Sequence, residues 1–204
     1  MKWDTVILGA IGTNDEEELD IEKLTKALKM ADSNWLNENK VLIKACMNNN
    51  SKVAQMLLEV EGIDVNQSDE DGWTPLYCAC WKNQVDLVRM LLRAANVQIN
   101  QPTNEGATPL FVACFNNNAQ VVRALLARKE IQVNQANNDG VAPLHMACDY
   151  GHLNVVDALL ARDGIQINKV TNVGHTPLFI ACQKDRVKVV NALLARKEIQ
   201  INQA

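Results

Sequence analysis

The apolar positions of this chain fall into three textures that follow one another in a fixed order. Stretches such as 75–81 are short and almost continuously apolar, about two helical turns long. Stretches such as 85–92 place Val85, Leu87, Val88, Leu91 and Leu92 on one helical face, with Arg89 and Arg93 on the polar side. The following copy does the same with Val121, Val122, Leu125 and Leu126 against Arg123 and Arg128. A hydrophobe-x-hydrophobe-Asn element comes next, at 63–66, 97–100, 131–134 and 165–168. Such alternation ahead of an Asn/Asp/Gly cluster predicts one arm of a hairpin-like finger.

The order recurs every 34 residues, with Thr74-Pro75-Leu76, Thr108-Pro109-Leu110, Ala142-Pro143-Leu144 and Thr176-Pro177-Leu178 each followed by Ala-Cys at the same offset. A period between about 20 and 50 residues predicts stacked units in place of one globular core. Gly72, Gly106, Gly140 and Gly174 open the copies and permit a turn with positive φ. Thr supplies a hydroxyl cap, and Pro occupies the first helical position, where its missing N–H is harmless. Ala142 forgoes that cap, at a cost of about 1 kcal/mol. Asn83, Asn117, Gly151 and Asp185 end the first helix with residue types that tolerate the left-handed conformation.

These signals place units at 35–68, 69–102, 103–136, 137–170 and 171–204. Unit one is degenerate, with Glu38, Lys40 and Val41 where later units have Gly and Thr-Pro. Residues 1–34 fit the repeat poorly. An apolar stretch at 5–11 and a stripe of Leu19, Ile21, Leu24, Leu28 and Met30 predict a helical cap, with Asp15, Glu16, Glu17 and Glu18 at a helix start where the dipole favours negative charge. At the other end, Phe179, Ile180, Val189, Val190, Leu193 and Leu194 are expected to lack a neighbour, as in a fragment of a longer array or an end that pairs with another copy of itself.

Composition narrows the class. With 48% hydrophobic and 22% charged residues the chain belongs among folded, soluble sequences. The apolar run at 6–11 is too short for a membrane span, and acidic residues follow it in place of a cleavage site, so the expected compartment is the cytosol or the nucleus. The net charge of −4 is uneven: residues 1–72 hold 15 acidic and 7 basic side chains, and residues 73–204 hold 9 and 13. Solvated helix faces explain this, and the functional alternative is a dipolar surface that orients a partner. No dense Lys/Arg run is present, which argues against nucleic acid.

Five of the six cysteines (Cys46, Cys80, Cys114, Cys148 and Cys182) share the repeat period. Helices pack about 8–10 Å apart, too far for disulfides between neighbouring copies, so the column reads as small buried hydrophobes in a reducing compartment. Cys78 adds a Cys-x-Cys pair with no second pair to complete a metal site. His145, Cys148 and His152 have helical spacing, but Gly151 breaks the helix between them, so no metal is expected. The chain has no Gly-rich phosphate loop, no Ser-x-Gly elbow and no paired carboxylates in an apolar setting. The reading is therefore non-catalytic, with no cofactor.

Thr-Pro-Leu, Ala-Cys, the Val/Leu helix and the closing hydrophobe-Asn together resemble the ankyrin repeat over residues 35–204. The resemblance implies an all-α solenoid of stacked helix-turn-helix units with β-hairpin-like finger loops. That family's usual period is about 33, and the extra residue here, within 127–130, is expected to lengthen a turn without breaking the stack. The resemblance also implies binding of another protein through the finger tips and the concave side of the first helices.

By that resemblance the variable positions are the residue after the Gly and the two after Ala-Cys. The first gives Trp73, Ala107, Val141 and His175; the second gives Met47, Trp81, Phe115, Asp149 and Gln183; the third gives Asn48, Lys82, Asn116, Tyr150 and Lys184. Four of the chain's nine aromatics fall here, which marks an interaction patch unless they pack as core. Asp69, Glu70, Asp71, Glu105 and Asp139 line the tips. The expected binding set is Met47, Trp73, Trp81, Lys82, Phe115, Asn116 and Tyr150 with Glu70, Asp71, Glu105 and Asp139. Its partner would offer a basic and apolar epitope. Two other roles fit the same surface: a targeting or regulatory domain of a larger enzyme or transporter, and an inhibitor of a partner enzyme. End-to-end self-association through the last unit is the remaining expected contact.

Overall fold

The Thr-Pro pairs start helices as their chemistry requires. Thr74, Thr108 and Thr176 each accept a hydrogen bond from the N–H three residues on, at 3.1 Å, and Pro follows at the helix start. Asn83, Asn117 and Asp185 then carry φ values of 56°, 58° and 55° and close the same helices, and Gly151, at 73°, closes the matching helix that follows Ala142. Ala142 has no hydroxyl to offer, and the His145 N–H bonds the Ala142 carbonyl instead, at 2.9 Å.

A computed structural model describes residues 2–12 and 20–201. Among the described residues there are thirteen helices and no strand, and no helix is long and apolar enough to cross a membrane. The chain divides into two compact units, Met1–Gln98 and Ile99–Ala204.

The first unit holds α1 (Trp3–Gly12), α2 (Ile21–Met30), α3 (Ser33–Glu38), α4 (Val41–Met47), α5 (Ser51–Leu58), α6 (Pro75–Trp81) and α7 (Val85–Leu91). Inner helices α4 and α6 pack together, as do outer helices α5 and α7. Leu42, Leu57, Leu76, Leu87 and Leu91 are fully buried between the two rows, each contributing about 1.5–3 kcal/mol of apolar burial. The N-terminal helices dock on this stack. Asn48 and Asn50 donate side-chain hydrogen bonds to the Ile11 and Ala10 carbonyls at 3.1 and 2.7 Å, satisfying the end of α1. Helix α2 begins under an Asp20 cap on the Lys23 N–H. Its buried stripe is Leu24, Ala27 and Leu28, whereas Ile21 and Met30, expected in that stripe, are exposed. Asp15, Glu16, Glu17, Glu18 and Leu19 lie outside the described residues. Where later copies have a finger, this region has the short helix α3, and α4 starts at Lys40 in a left-handed conformation (φ 52°) with no side-chain cap.

The second unit holds α8 (Pro109–Phe115), α9 (Ala119–Leu126), α10 (Pro143–Tyr150), α11 (Leu153–Leu160), α12 (Pro177–Gln183) and α13 (Val187–Leu194). Inner helices α8, α10 and α12 pack in sequence, and outer helices α9, α11 and α13 pack likewise. Cys114 and Cys148 are buried at the inner-helix contacts, whereas Cys182, on the same period, is exposed. On α12 and α13 the side chains of Phe179 and Leu194 are exposed, Ile180 and Val190 are half-buried, and Val189 and Leu193 are buried by contacts within their own unit. The last two correct the expectation that all six lack a neighbour.

The finger stretches differ from the predicted extended arm. Residues 63–66 and their counterparts end in turns, because a side chain does the pairing. Asn66 Nδ2 donates to the Asn96 carbonyl at 2.9 Å while its Oδ1 accepts the Gln98 N–H at 2.7 Å. Asn100 does the same with Glu130 and Gln132, Asn134 with Gly164 and Gln166, and Asn168 with Glu198 and Gln200. One amide thus supplies both the donor and the acceptor that a β-ladder would draw from the backbone. At the tips the bonding is hairpin-like: the Asp69 N–H meets the Trp73 carbonyl at 3.1 Å, and Asn137 meets Val141 at 3.0 Å. Asn138 and Asn172 donate from their side chains to the carbonyls of Asn104 and Asn138 at 3.0 and 2.9 Å, tying successive tips in the second unit. Gly106 and Gly140 are required there, since a Cβ on either would collide with Asn138 or Asn172.

Candidate interaction surface

In the first unit, the turn that presents Trp73 is built by Asp69. Its carboxylate accepts the N–H groups of Asp71 and Trp73 at 3.1 and 2.8 Å, and Gly72 (φ 82°) lets the chain reverse between them. Asp69 is therefore a structural bracket, and the acidic side chains presented at this tip are Glu70 and Asp71, both exposed. Glu70 stands 4.0 Å from Lys40 Nζ, a surface pair of small energetic weight.

Trp73, Tyr77 and Trp81 are spaced by four and share a face. Trp73 stacks on Trp81 at 5.2 Å with an interplanar angle of 29°, and touches Tyr77 at the same centroid distance, tilted by 47°. Tyr77 is buried and Trp73 half-buried, whereas Trp81 is 37% exposed. The cluster thus has a fixed base and one presented ring. Ring pairs of this kind are worth about 0.5–1.5 kcal/mol beyond area burial, enough to hold Trp81 in a preset orientation. Lys82 follows at the helix end, exposed, and Met47 is half-buried at the corresponding place on α4. Tyr77 was not among the expected residues, although its spacing from Trp73 and Trp81 was readable.

In the second unit, Phe115 of α8 and Tyr150 of α10 meet edge to face at 5.0 Å. Tyr150 is 45% exposed and also stacks on His152 at 5.7 Å. His152 is anchored in turn by a 3.1 Å hydrogen bond from Nε2 to the Phe115 carbonyl. Phe115 and Asn116 are half-buried, Asn116 as the residue closing α8. Glu105 and Asp139 are exposed, but their carbonyls accept the N–H groups of Asn138 and Asn172, both at 3.0 Å, so their backbones belong to the tip ladder. Each unit thus presents aromatic rings, Trp81 in the first and Tyr150 in the second, and carries carboxylates at its finger tips.

The buried histidine and the buried cysteines are occupied structurally. His145 is buried; Nε2 donates to the Lys169 carbonyl at 2.8 Å and Nδ1 accepts the Ala142 N–H at 3.0 Å. Burial holds its pKa below the usual histidine value, although its bonds to backbone groups oppose the shift. Burial also raises the Cys46, Cys114 and Cys148 thiols and pushes Cys78 up to about 12, far from the range of a reactive thiolate. Among the described residues no group of three or more His, Cys, Asp or Glu side chains is placed to hold a metal ion.

Comparison with known families gives a consistent result along the chain. The family model described as "Ankyrin repeats (3 copies)" matches residues 17–102 and 94–171, and the model "Ankyrin repeat" matches residues 173–204. No curated protein matches the chain.

Proposed function

Since the chain belongs to the ankyrin repeat family, we propose that it is a non-catalytic binding module whose first-unit aromatic cluster anchors a partner protein. Ankyrin repeats are generally protein–protein interaction modules, and no catalytic family is indicated by the matches. The observation that carries the reading is the exposed Trp81 ring, stacked on Trp73, which itself sits on the turn that carries Glu70 and Asp71. A preset tryptophan on a copy whose finger tip is acidic suits an epitope that pairs an apolar side chain with a lysine or arginine. Phe115 and Tyr150, with Glu105 and Asp139, offer a second contact region of the same chemistry, and Met47, Lys82 and Asn116 flank the two. In this reading residues 1–34 cap the array, residues 35–204 form the repeat domain, and the module works in the cytosol or nucleus.

The test is a pull-down comparing wild type with a Trp81→Ala/Phe115→Ala variant, followed by affinities for the partner captured only by wild type. Trp81→Ala should cost at least about 2 kcal/mol, the scale of an interface hot spot. A loss below about 0.5 kcal/mol would remove Trp81 from the anchor role, since that is ordinary for a surface residue.

A second reading, self-association through the last helix pair, is favoured by a separate observation. Phe179, Val187 and Leu194 are 46%, 61% and 45% exposed, whereas Leu126 and Leu160, at the register of Leu194, are buried. Sedimentation equilibrium should then show concentration-dependent association that Phe179→Glu abolishes. A monomer at all concentrations would end this reading.

A further inference from the structure

Between α10 and α12, within the second unit, lies a cavity of about 210 Å³ on the inner-helix side. Small-molecule and cofactor sites usually occupy roughly 300–1,000 Å³, so this one suits a single side chain of a partner. Val141, Met146 and Ile180 line it with apolar surface, and Asp149, His175, Gln183 and Lys184 provide polar groups. His145 also borders it, but both of its ring nitrogens are already bonded, so it adds carbon surface only.

The decisive atom is Asp149 Oδ1. It is out of contact with solvent and accepts no hydrogen bond among the described residues. Its ion-pair partner, Lys184 Nζ, stands 3.4 Å away, beyond the roughly 2.7–2.9 Å of an aligned ammonium–carboxylate hydrogen bond. The Asp149 side chain as a whole is 30% exposed, so its inward oxygen can be reached and can take a better-aligned donor than Lys184. Lys184 sits on a flexible, half-exposed stem and can be displaced. One wall is prearranged: the His175 carbonyl accepts the Thr171 N–H at 3.0 Å, the His175 N–H donates to Thr171 Oγ1 at 3.2 Å, and the His175 ring stacks on Phe179 at 4.3 Å.

We infer that this cavity is an arginine-accepting subsite for a basic partner segment. The arginine stem lies along Met146 and Ile180, and its guanidinium replaces Lys184 on Asp149. The inference rests on the reading above that the partner offers basic side chains, and it adds which basic side chain and where. Arginine fits better than lysine because its planar fork can pair with a carboxylate and stack on an aromatic ring together. An anionic ligand would meet Lys184 but leave Asp149 Oδ1 without a donor.

The test uses the full, ¹⁵N-labelled chain and three probes: N-acetyl-arginine amide, its uncharged citrulline analogue and the lysine equivalent. The arginine probe should shift the amide signals of Asp149, His175 and Ile180 and bind more tightly than either analogue. Asp149→Asn, checked for an unchanged Tm, should weaken it about tenfold, the scale of one charge-assisted hydrogen bond. Lys184→Met should strengthen it by removing the competing cation. Equal binding of citrulline or lysine, shifts centred elsewhere, or an unaffected Asp149→Asn variant would each overturn the subsite. Trp81→Ala should leave probe binding unchanged, so failure here is separable from failure of the Trp81 anchor.

Discussion

Helix α6 starts under the Thr74 hydroxyl and carries its own aromatic surface in Tyr77 and Trp81, with Trp73 four residues before Tyr77. Helix α10, at the same place in a later copy, starts at Ala142 and completes its aromatic surface with Phe115 of α8. The difference separates two demands on one repeat unit. In α6 the frame is conventional, and Trp73 and Tyr77 of the same copy touch the presented Trp81 ring. In α10 a buried histidine has taken over the frame, bridging the helix start to the following finger through Lys169, and the presented ring depends on another helix.

The largest expected effect tests the frame. His145→Ala removes a buried ring and two hydrogen bonds and leaves the Lys169 carbonyl without its donor, which should cost about 3 kcal/mol in urea denaturation. Next comes the surface: Trp81→Ala should cost about 2 kcal/mol or more of partner affinity by calorimetry with little change in Tm. Phe115→Ala should lower affinity while also disturbing Tyr150, whose ring it supports. Equal losses of affinity and Tm from the two variants would erase the distinction between a ring that only presents itself and one that also supports another.

How much of this was legible in the sequence depends on how local each interaction is. The Thr-Pro starts and the left-handed Asn83, Asn117 and Asp185 follow from one or a few adjacent residues and were readable; the repeat period gave the buried Cys46, Cys80, Cys114 and Cys148 but not Cys182, which is exposed. Asn66, Asn100, Asn134 and Asn168 were not, because their partners lie 30 and 32 residues ahead and the surrounding alternation mimics a strand. Asp69 looked like a partner-facing acid because its turn bonds depend on the backbone path at Gly72. The cavity of α10 and α12 joins positions already marked as variable, Asp149, His175 and Lys184, but only the packing of the two helices shows that they meet.

A smaller effect concerns pH. His145 has its pKa lowered in the folded state by burial, so the folded chain binds fewer protons there than the unfolded chain does. That contribution is fully present above the unfolded value of about 6.5 and is lost as pH falls towards the folded value, with a slope of at most about 1.4 kcal/mol per pH unit for one proton. Denaturation midpoints measured from pH 7.5 downwards should fall, and His145→Phe should flatten the part of the decline between pH 6.5 and the folded-state pKa. The protonated ring would also set an Nδ1–H against the Ala142 N–H, two donors face to face.

The smallest effect restores what α10 lacks. Ala142→Thr places a hydroxyl where Thr108 and Thr176 have theirs, within reach of the His145 N–H. The site already tolerates this side chain in other copies, where Thr74, Thr108 and Thr176 are equally buried. Because His145 Nδ1 already accepts the residue 142 N–H, the new hydroxyl would complete a reciprocal capping box with histidine as the returning partner. The gain should be about 1 kcal/mol, and Thr108→Ala should lose a similar amount in the same unit. A gain well short of that loss would mean that the short His145 N–H to Ala142 carbonyl bond, at 2.9 Å, already serves as the cap, and that the histidine had made the hydroxyl redundant.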